Sequence, residues 1–194
     1  MREALVILAL CGGAVWAQES PRVGGSVPLL APEGVGKPSP APDNQQVRLA
    51  PQKISFRVPL GWREVSTGRR QAGILASFMP LNATGATLSL AYSEDAGRTK
   101  LPENLPVSIA TALAERYPGF RQTGKQHFTL SGADAWKLDG QVKPAGQSMV
   151  VSNRQVYICY QGRIYIATLT CKKEDFERLA PSLDRFLKSM TWLD

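Results

Sequence analysis

The sequence predicts an α/β domain in which an antiparallel β-sheet is flanked by helices, an α/β/α sandwich. Three observations predict it. Residues 126–143 and 148–171 each read as two alternating arms around a short turn, which makes consecutive hairpins and hence antiparallel pairing. Two stretches carry apolar residues at helical spacing instead: Leu105, Ile109, Ala112 and Leu113, then Phe176, Leu179, Ala180, Leu183, Phe186, Leu187 and Met190. In the second hairpin Tyr165, Ala167 and Leu169 alternate with Ile164, Ile166 and Thr168. Both faces of that arm are therefore apolar, and both need cover.

Three regions follow one another along the 194 residues. Residues 1–17 read as a secretory signal, with Arg2 and Glu3 before the apolar run from Ala4 to Leu10. That run is far short of the roughly 20 residues a membrane span needs. Val15-Trp16-Ala17 places cleavage after Ala17, which exports the chain to the periplasm or the extracellular space. An alternative is a lipid anchor on Cys11, although Leu10 is larger than the residue that usually precedes a lipidated cysteine. Residues 18–52 hold Pro21, Pro28, Pro32, Pro38, Pro40, Pro42 and Pro51 without helical or strand periodicity, and read as a disordered Pro-rich spacer. Gly34-Val35-Gly36-Lys37 lacks the spacing of a phosphate loop.

The domain proper is expected over residues 53–194. Ile54, Phe56 and Val58 alternate with Ser55 and Arg57 as a half-buried strand, and Pro59-Leu60-Gly61 turns Trp62 into the core. Residues 75–79 and 86–92 read as two more strands, the second with Leu88, Leu90 and Tyr92 on one face. A helix over 103–117 stops at Pro118-Gly119. The first hairpin turns at residues 131–134, and the second turns at Gln161-Gly162. The closing helix contains Pro181, which is expected to kink or restart it, and Trp192-Leu193 forms a lid.

Little of this suggests catalysis. His127 is the sole histidine, on the polar face of its strand, where a solvated role is expected. No Gly-x-Ser-x-Gly elbow is present, and Ser148 follows Gly146-Gln147 without a second glycine. Cys159 and Cys171 remain after cleavage. The Gln161-Gly162 turn sets Cys159 opposite Ile164 and Cys171 opposite Ser152, on the order of 23 Å apart at strand rise. A disulfide needs Cα atoms within about 7 Å, so two free, buried thiols are expected. Glu94-Asp95 and Glu174-Asp175-Glu177 lack the spacing of a calcium loop and are assigned structural roles. Asn82-Ala83-Thr84 is a glycosylation sequon, relevant only in a eukaryotic secretory host. No cofactor or metal is implied.

Charge is the one positive signal. Basic and acidic residues cancel in the signal and in the spacer, so residues 53–194 carry the whole net charge of +7. Arg63, Arg69, Arg70, Arg98 and Lys100 fall in expected loops and form the candidate binding surface. A basic domain favours anionic partners. No aromatic residues interleave with these cations and the chain is exported, so nucleic acid is not expected.

The order of these motifs resembles the PsbP-like superfamily, which includes the extrinsic PsbP subunit of photosystem II and DcrB-type envelope proteins. The carriers are Ile54-Ser55-Phe56-Arg57-Val58-Pro59-Leu60-Gly61-Trp62, the helix ending in Pro118-Gly119-Phe120, and Leu130-Ser131-Gly132-Ala133-Asp134-Ala135. Gly162-Arg163-Ile164-Tyr165-Ile166-Ala167-Thr168-Leu169-Thr170 and Phe186-Leu187-Lys188-Ser189-Met190 complete them. The resemblance implies an antiparallel sheet between helices and a binding or assembly role without catalysis. The expected function is an exported, non-enzymatic binding or assembly factor of the cell envelope, acting on an envelope protein or other anionic partner or in association with a membrane. The alternative is a small-ligand carrier with a pocket between sheet and helices.

Overall fold

The computed structural model describes residues 45–65, 73–83, 85–95, 97–144, 146 and 148–193. The expected signal, its cleavage after Ala17, Cys11, the spacer as far as residue 44, Arg69, Arg70 and Thr84 of the sequon lie outside the described residues.

Among the described residues ten strands and two α-helices follow in the order β1 (Gln46–Leu49), β2 (Ile54–Arg57), β3 (Trp62–Glu64), β4 (Ile74–Pro80), β5 (Thr87–Glu94), α1 (Leu105–Arg116), β6 (Arg121–Leu130), β7 (Ala133–Val142), β8 (Val151–Tyr160), β9 (Arg163–Lys172), α2 (Phe176–Lys188) and β10 (Thr191–Trp192). Seven strands form the main sheet in the order β3-β4-β5-β9-β8-β7-β6, and β1-β2-β10 form a second, smaller sheet. All neighbours are antiparallel.

The two expected hairpins are present as β6-β7 and β8-β9. In the second, Gln161 and Gly162 both sit at positive φ (47° and 73°). That is the backbone of a two-residue turn whose twist matches its strands. It fixes Cys159 opposite Ile164 and Cys171 opposite Ser152, as expected. Both thiols are free and buried.

Period-two alternation sends each strand's side chains to two separate cores. On one face Leu88, Leu90, Val156, Ile158, Tyr165, Ala167 and Leu169 pack against Leu183, Phe186 and Leu187 of α2 and against Ile54 and Phe56 of the small sheet. Trp62, 4% exposed, joins this core as the Pro59-Leu60-Gly61 turn predicts. On the other face Tyr157, Ile164, Ile166 and Leu138 pack against Leu105, Ile109 and Leu113 of α1. Gly140 lets Phe120 lie across β7 here, since a Cβ at this position would meet the Phe120 ring at 2.5 Å.

Three expectations need correction. The sheet has a helix on each face, but the layers are unequal. α2 shares its face with the small sheet, while α1 stands alone on the other. The expected spacer range, 18–52, contains β1. Val47 and Leu49 are half-buried there while Gln46 and Arg48 face solvent, a period-two pattern too short to stand out beside Pro51. Finally, Pro181 does not interrupt α2, which runs from Phe176 to Lys188 around it. Pro181 is exposed, and so is Glu177, whose carbonyl loses its helical donor. Water can satisfy that carbonyl, so the helix continues.

Candidate functional site

The sequence-predicted basic surface is not one patch among the described residues. Arg63 lies on β3 opposite Met79, and Phe78 of β4 pairs with Leu88 near the start of β5. Arg98 and Lys100 follow the far end of β5. That strand of eight residues spans on the order of 23 Å at strand rise. Arg98 is also engaged, since its Nε donates to Asp95 Oδ2 at 2.6 Å. Lys100 is exposed beside it.

The structure instead assembles cations that the sequence reading passed over. β2 ends at exposed Arg57, and the chain continues through buried Val58 and Pro59 to Leu60, which is 63% exposed. Opposite runs the last turn of α2. Its helical period buries Leu183, Phe186 and Leu187 and turns Arg185 and Lys188 outward. Ser189 joins the two walls: its Oγ donates to the Phe186 carbonyl at 2.7 Å and accepts the Arg57 backbone N–H at 2.9 Å. The floor is tied by Ser55, whose Oγ shares a 2.7 Å hydrogen bond with Thr191 Oγ1 and accepts from Gln46 Nε2 at 3.4 Å.

Between these walls lies an open groove of about 620 Å³, lined by Arg57, Leu60, Arg185, Phe186, Lys188 and their neighbours. Among the described residues no acidic side chain lines it. Arg57, Arg185 and Lys188 form no ion pair among the described residues. The Arg185 guanidinium donates to Ser182 Oγ at 3.1 Å. Cations in a helix's last turn also complement its dipole, whose C-terminal end amounts to roughly half a negative charge. Three cations outweigh that, so the groove stays positive. It can hold an anion by charge and an apolar group on Val58, Pro59 and Phe186.

His127, several carboxylates and the two cysteines have identifiable surroundings. His127 Nε2 and Asp134 Oδ1 are 2.7 Å apart, and the imidazole stacks on Trp136 at 4.7 Å between centroids. The expected solvated histidine is thus exposed but held. Asp134 Oδ2 also accepts the Leu101 N–H at 2.7 Å, which ties β7 to the segment before α1. Three of the acidic groups assigned structural roles have side-chain partners. Glu94 accepts from Tyr92, Asp175 pairs with Arg178, and Glu174 approaches Lys172. Among the described residues no three His, Cys, Asp or Glu side chains gather as a metal site.

Neither cysteine is placed as a nucleophile. Burial, followed by the Asp134 charge, pushes the Cys159 thiol up, and it donates to the Arg98 carbonyl at 3.5 Å. Burial pushes Cys171 up to about 12. Both thiols should therefore resist a disulfide-exchange reagent at pH 8 in the folded protein and react fully in denaturant; reaction in the folded protein would show the sheet opening locally. The same shift makes stability depend on alkali. An unfolded Cys171 ionises near its ordinary 9.0, whereas the folded thiol keeps its proton until about 12. The unfolded chain then binds fewer protons, so stability is intact below 9 and falls as pH rises from 9 towards 12. Cys171→Ala should flatten the first part of that fall in denaturant titrations.

On the α1 face the space among Ile109, Leu113, Phe120, Leu138 and Gln155 is about 10 Å³, room for at most one water.

The antiparallel fold is one shared with a PsbP protein. The solution structure of cyanobacterial PsbP from Synechocystis matches with a TM-score of 0.60 at 14% identity, over 84% of this chain and 99% of that one. The chain belongs to the family described as probable lipoprotein LpqN, whose model matches residues 43–191. The crystal structure of LpqN from Mycobacterium tuberculosis, described as involved in cell envelope biogenesis, matches at 18% identity over 80% of this chain and 87% of that one, with a TM-score of 0.49. A Pseudomonas aeruginosa protein described as a putative regulator matches at 21% identity over 76% of this chain and 95% of that one, with a TM-score of 0.48. No curated protein matches the chain.

Proposed function

We propose that this domain is a non-enzymatic binding factor of the cell envelope that docks an anionic partner in the groove between β2 and the end of α2. The observation that carries this reading is unneutralised charge. Arg57, Arg185 and Lys188 line an open groove of about 620 Å³ in which no described residue is acidic. Membership of a lipoprotein family supports an envelope location, with the N-terminal segment serving export or anchoring and the Pro-rich spacer giving reach. A carrier would find about 10 Å³ under α1, and on the α2 face this same groove, which is open rather than enclosed.

Capture of a partner from envelope extract should weaken as salt rises, because exposed charges are screened beyond about 8–10 Å at physiological ionic strength. Arg57→Glu combined with Lys188→Glu should abolish capture. Both side chains are exposed, so stability should stay within about 0.5 kcal/mol. Arg98→Glu with Lys100→Glu should leave capture intact. The opposite pattern would move the docking surface to the far end of the sheet. A turnover that disappears in His127→Ala would overturn the non-enzymatic reading.

A further inference from the structure

We infer that the occupant of the groove is the phosphate-bearing headgroup layer of an anionic membrane, an inference that rests on the anionic-partner reading above. The first argument is the apolar rim. Leu60 and Leu81 are 63% and 60% exposed, and both rank among the few large apolar side chains the domain leaves in solvent. They are held together, because the Leu81 N–H donates to the Gly61 carbonyl at 2.8 Å. The rim thus sets two exposed leucines beside the cations. A bilayer surface uses both. Apolar side chains enter the boundary between headgroups and acyl chains while basic ones meet the phosphates.

The second argument is where the chain enters the domain. Gln46 opens β1 and lines the groove. All the residues before it, including the apolar run from Ala4 to Leu10 and Cys11, therefore join the domain at this groove. An anchor in that segment would be joined to the domain on its groove side. Single weak anchors bind membranes reversibly, and stable attachment takes a second signal such as a basic patch. The groove has the composition of that second signal.

The third argument is magnitude. Each Lys or Arg near an anionic surface favours binding by roughly fivefold. Arg57, Arg185 and Lys188 together then favour anionic over neutral vesicles by on the order of a hundredfold.

The test is co-sedimentation of the full chain with vesicles of phosphatidylcholine, alone or mixed with phosphatidylglycerol. Binding should require phosphatidylglycerol, weaken with salt, and fall on the order of a hundredfold in the combined Arg57→Gln, Arg185→Gln and Lys188→Gln variant. Leu60→Ser with Leu81→Ser should weaken binding without changing its salt dependence. Arg98→Gln with Lys100→Gln should bind like the parent protein. All variants should melt with the parent, since the altered side chains are exposed. Equal binding to neutral vesicles, or full binding by the triple variant, would overturn the inference. So would complete competition by soluble glycerol phosphate, which would make the groove a site for a single small anion. Loss of vesicle binding together with Arg57- and Lys188-dependent capture from envelope extract would leave the anionic-partner reading standing, with an acidic protein as the partner.

Discussion

Phe56→Ala is expected to cost about 3–5 kcal/mol of folding stability, the range for truncating a fully buried aromatic side chain. Phe56 is wholly buried on β2 of the small sheet. Its ring meets Phe78 of the main sheet edge-on at 6.2 Å and Phe186 of α2 at 5.1 Å, and Phe78 and Phe186 lie 6.1 Å apart. Each ring comes from a different layer, so the triad joins small sheet, main sheet and helix. Aromatic pairs add about 0.5–1.5 kcal/mol beyond the area they bury, which a double-mutant cycle with Phe186→Ala would read out. Leu60→Ala, four residues on and 63% exposed, should change stability by no more than about 0.5 kcal/mol. A small effect at Phe56 would mean that the small sheet is a loosely attached flap and that the groove has a mobile wall.

Removing residues before Lys53 should destabilise the domain by roughly 2–4 kcal/mol, whereas a chain starting at Asp43 should keep its stability. The cut deletes β1, whose Val47 and Leu49 pack half-buried against the core and which pairs with β2 along its whole length. It also removes the Gln52 carbonyl that accepts the Tyr165 hydroxyl at 2.6 Å. A deeply buried hydroxyl without its acceptor costs about 1–3 kcal/mol. The Gln45 carbonyl, bonded to the Val58 N–H at 3.0 Å, goes as well. Chemical denaturation of the two truncations would measure the difference. Equal midpoints would return residues 45–52 to the spacer that composition alone suggests.

The candidate site was much less legible than the fold. Arg185 and Lys188 have an ordinary explanation in the last turn of a helix, and Arg57 has one as the outward residue of an alternating strand. Nothing local marks them as neighbours. Loops are where binding residues concentrate, yet Arg98 is paired with Asp95 at 2.6 Å and Arg63 lies at the other end of β5. A solvated charge leaves the same trace in a sequence whether or not two other charges face it. His127 illustrates the point: its strand face was readable, but Asp134 and Trp136 reach it only through the β6-β7 register.

By itself the sequence determined what local physics decides. Period-two alternation and a turn at Gln161-Gly162 set the β8-β9 register residue by residue, and with it the separation of Cys159 from Cys171. Apolar residues at helical spacing placed α1 and α2, and apolar runs on both faces of β9 required cover on each side of the sheet. Only the tertiary structure decided what depends on distant partners. β2 gathers β1 on one side and β10 on the other, through a short strand of two residues, Thr191 and Trp192, that carries almost no signal of its own. The bond that closes the groove joins Arg57 to Ser189, 132 residues along the chain. Such contacts follow from burying Phe56 against Phe186, an apolar requirement that many pairings could meet in sequence and that packing resolves into one.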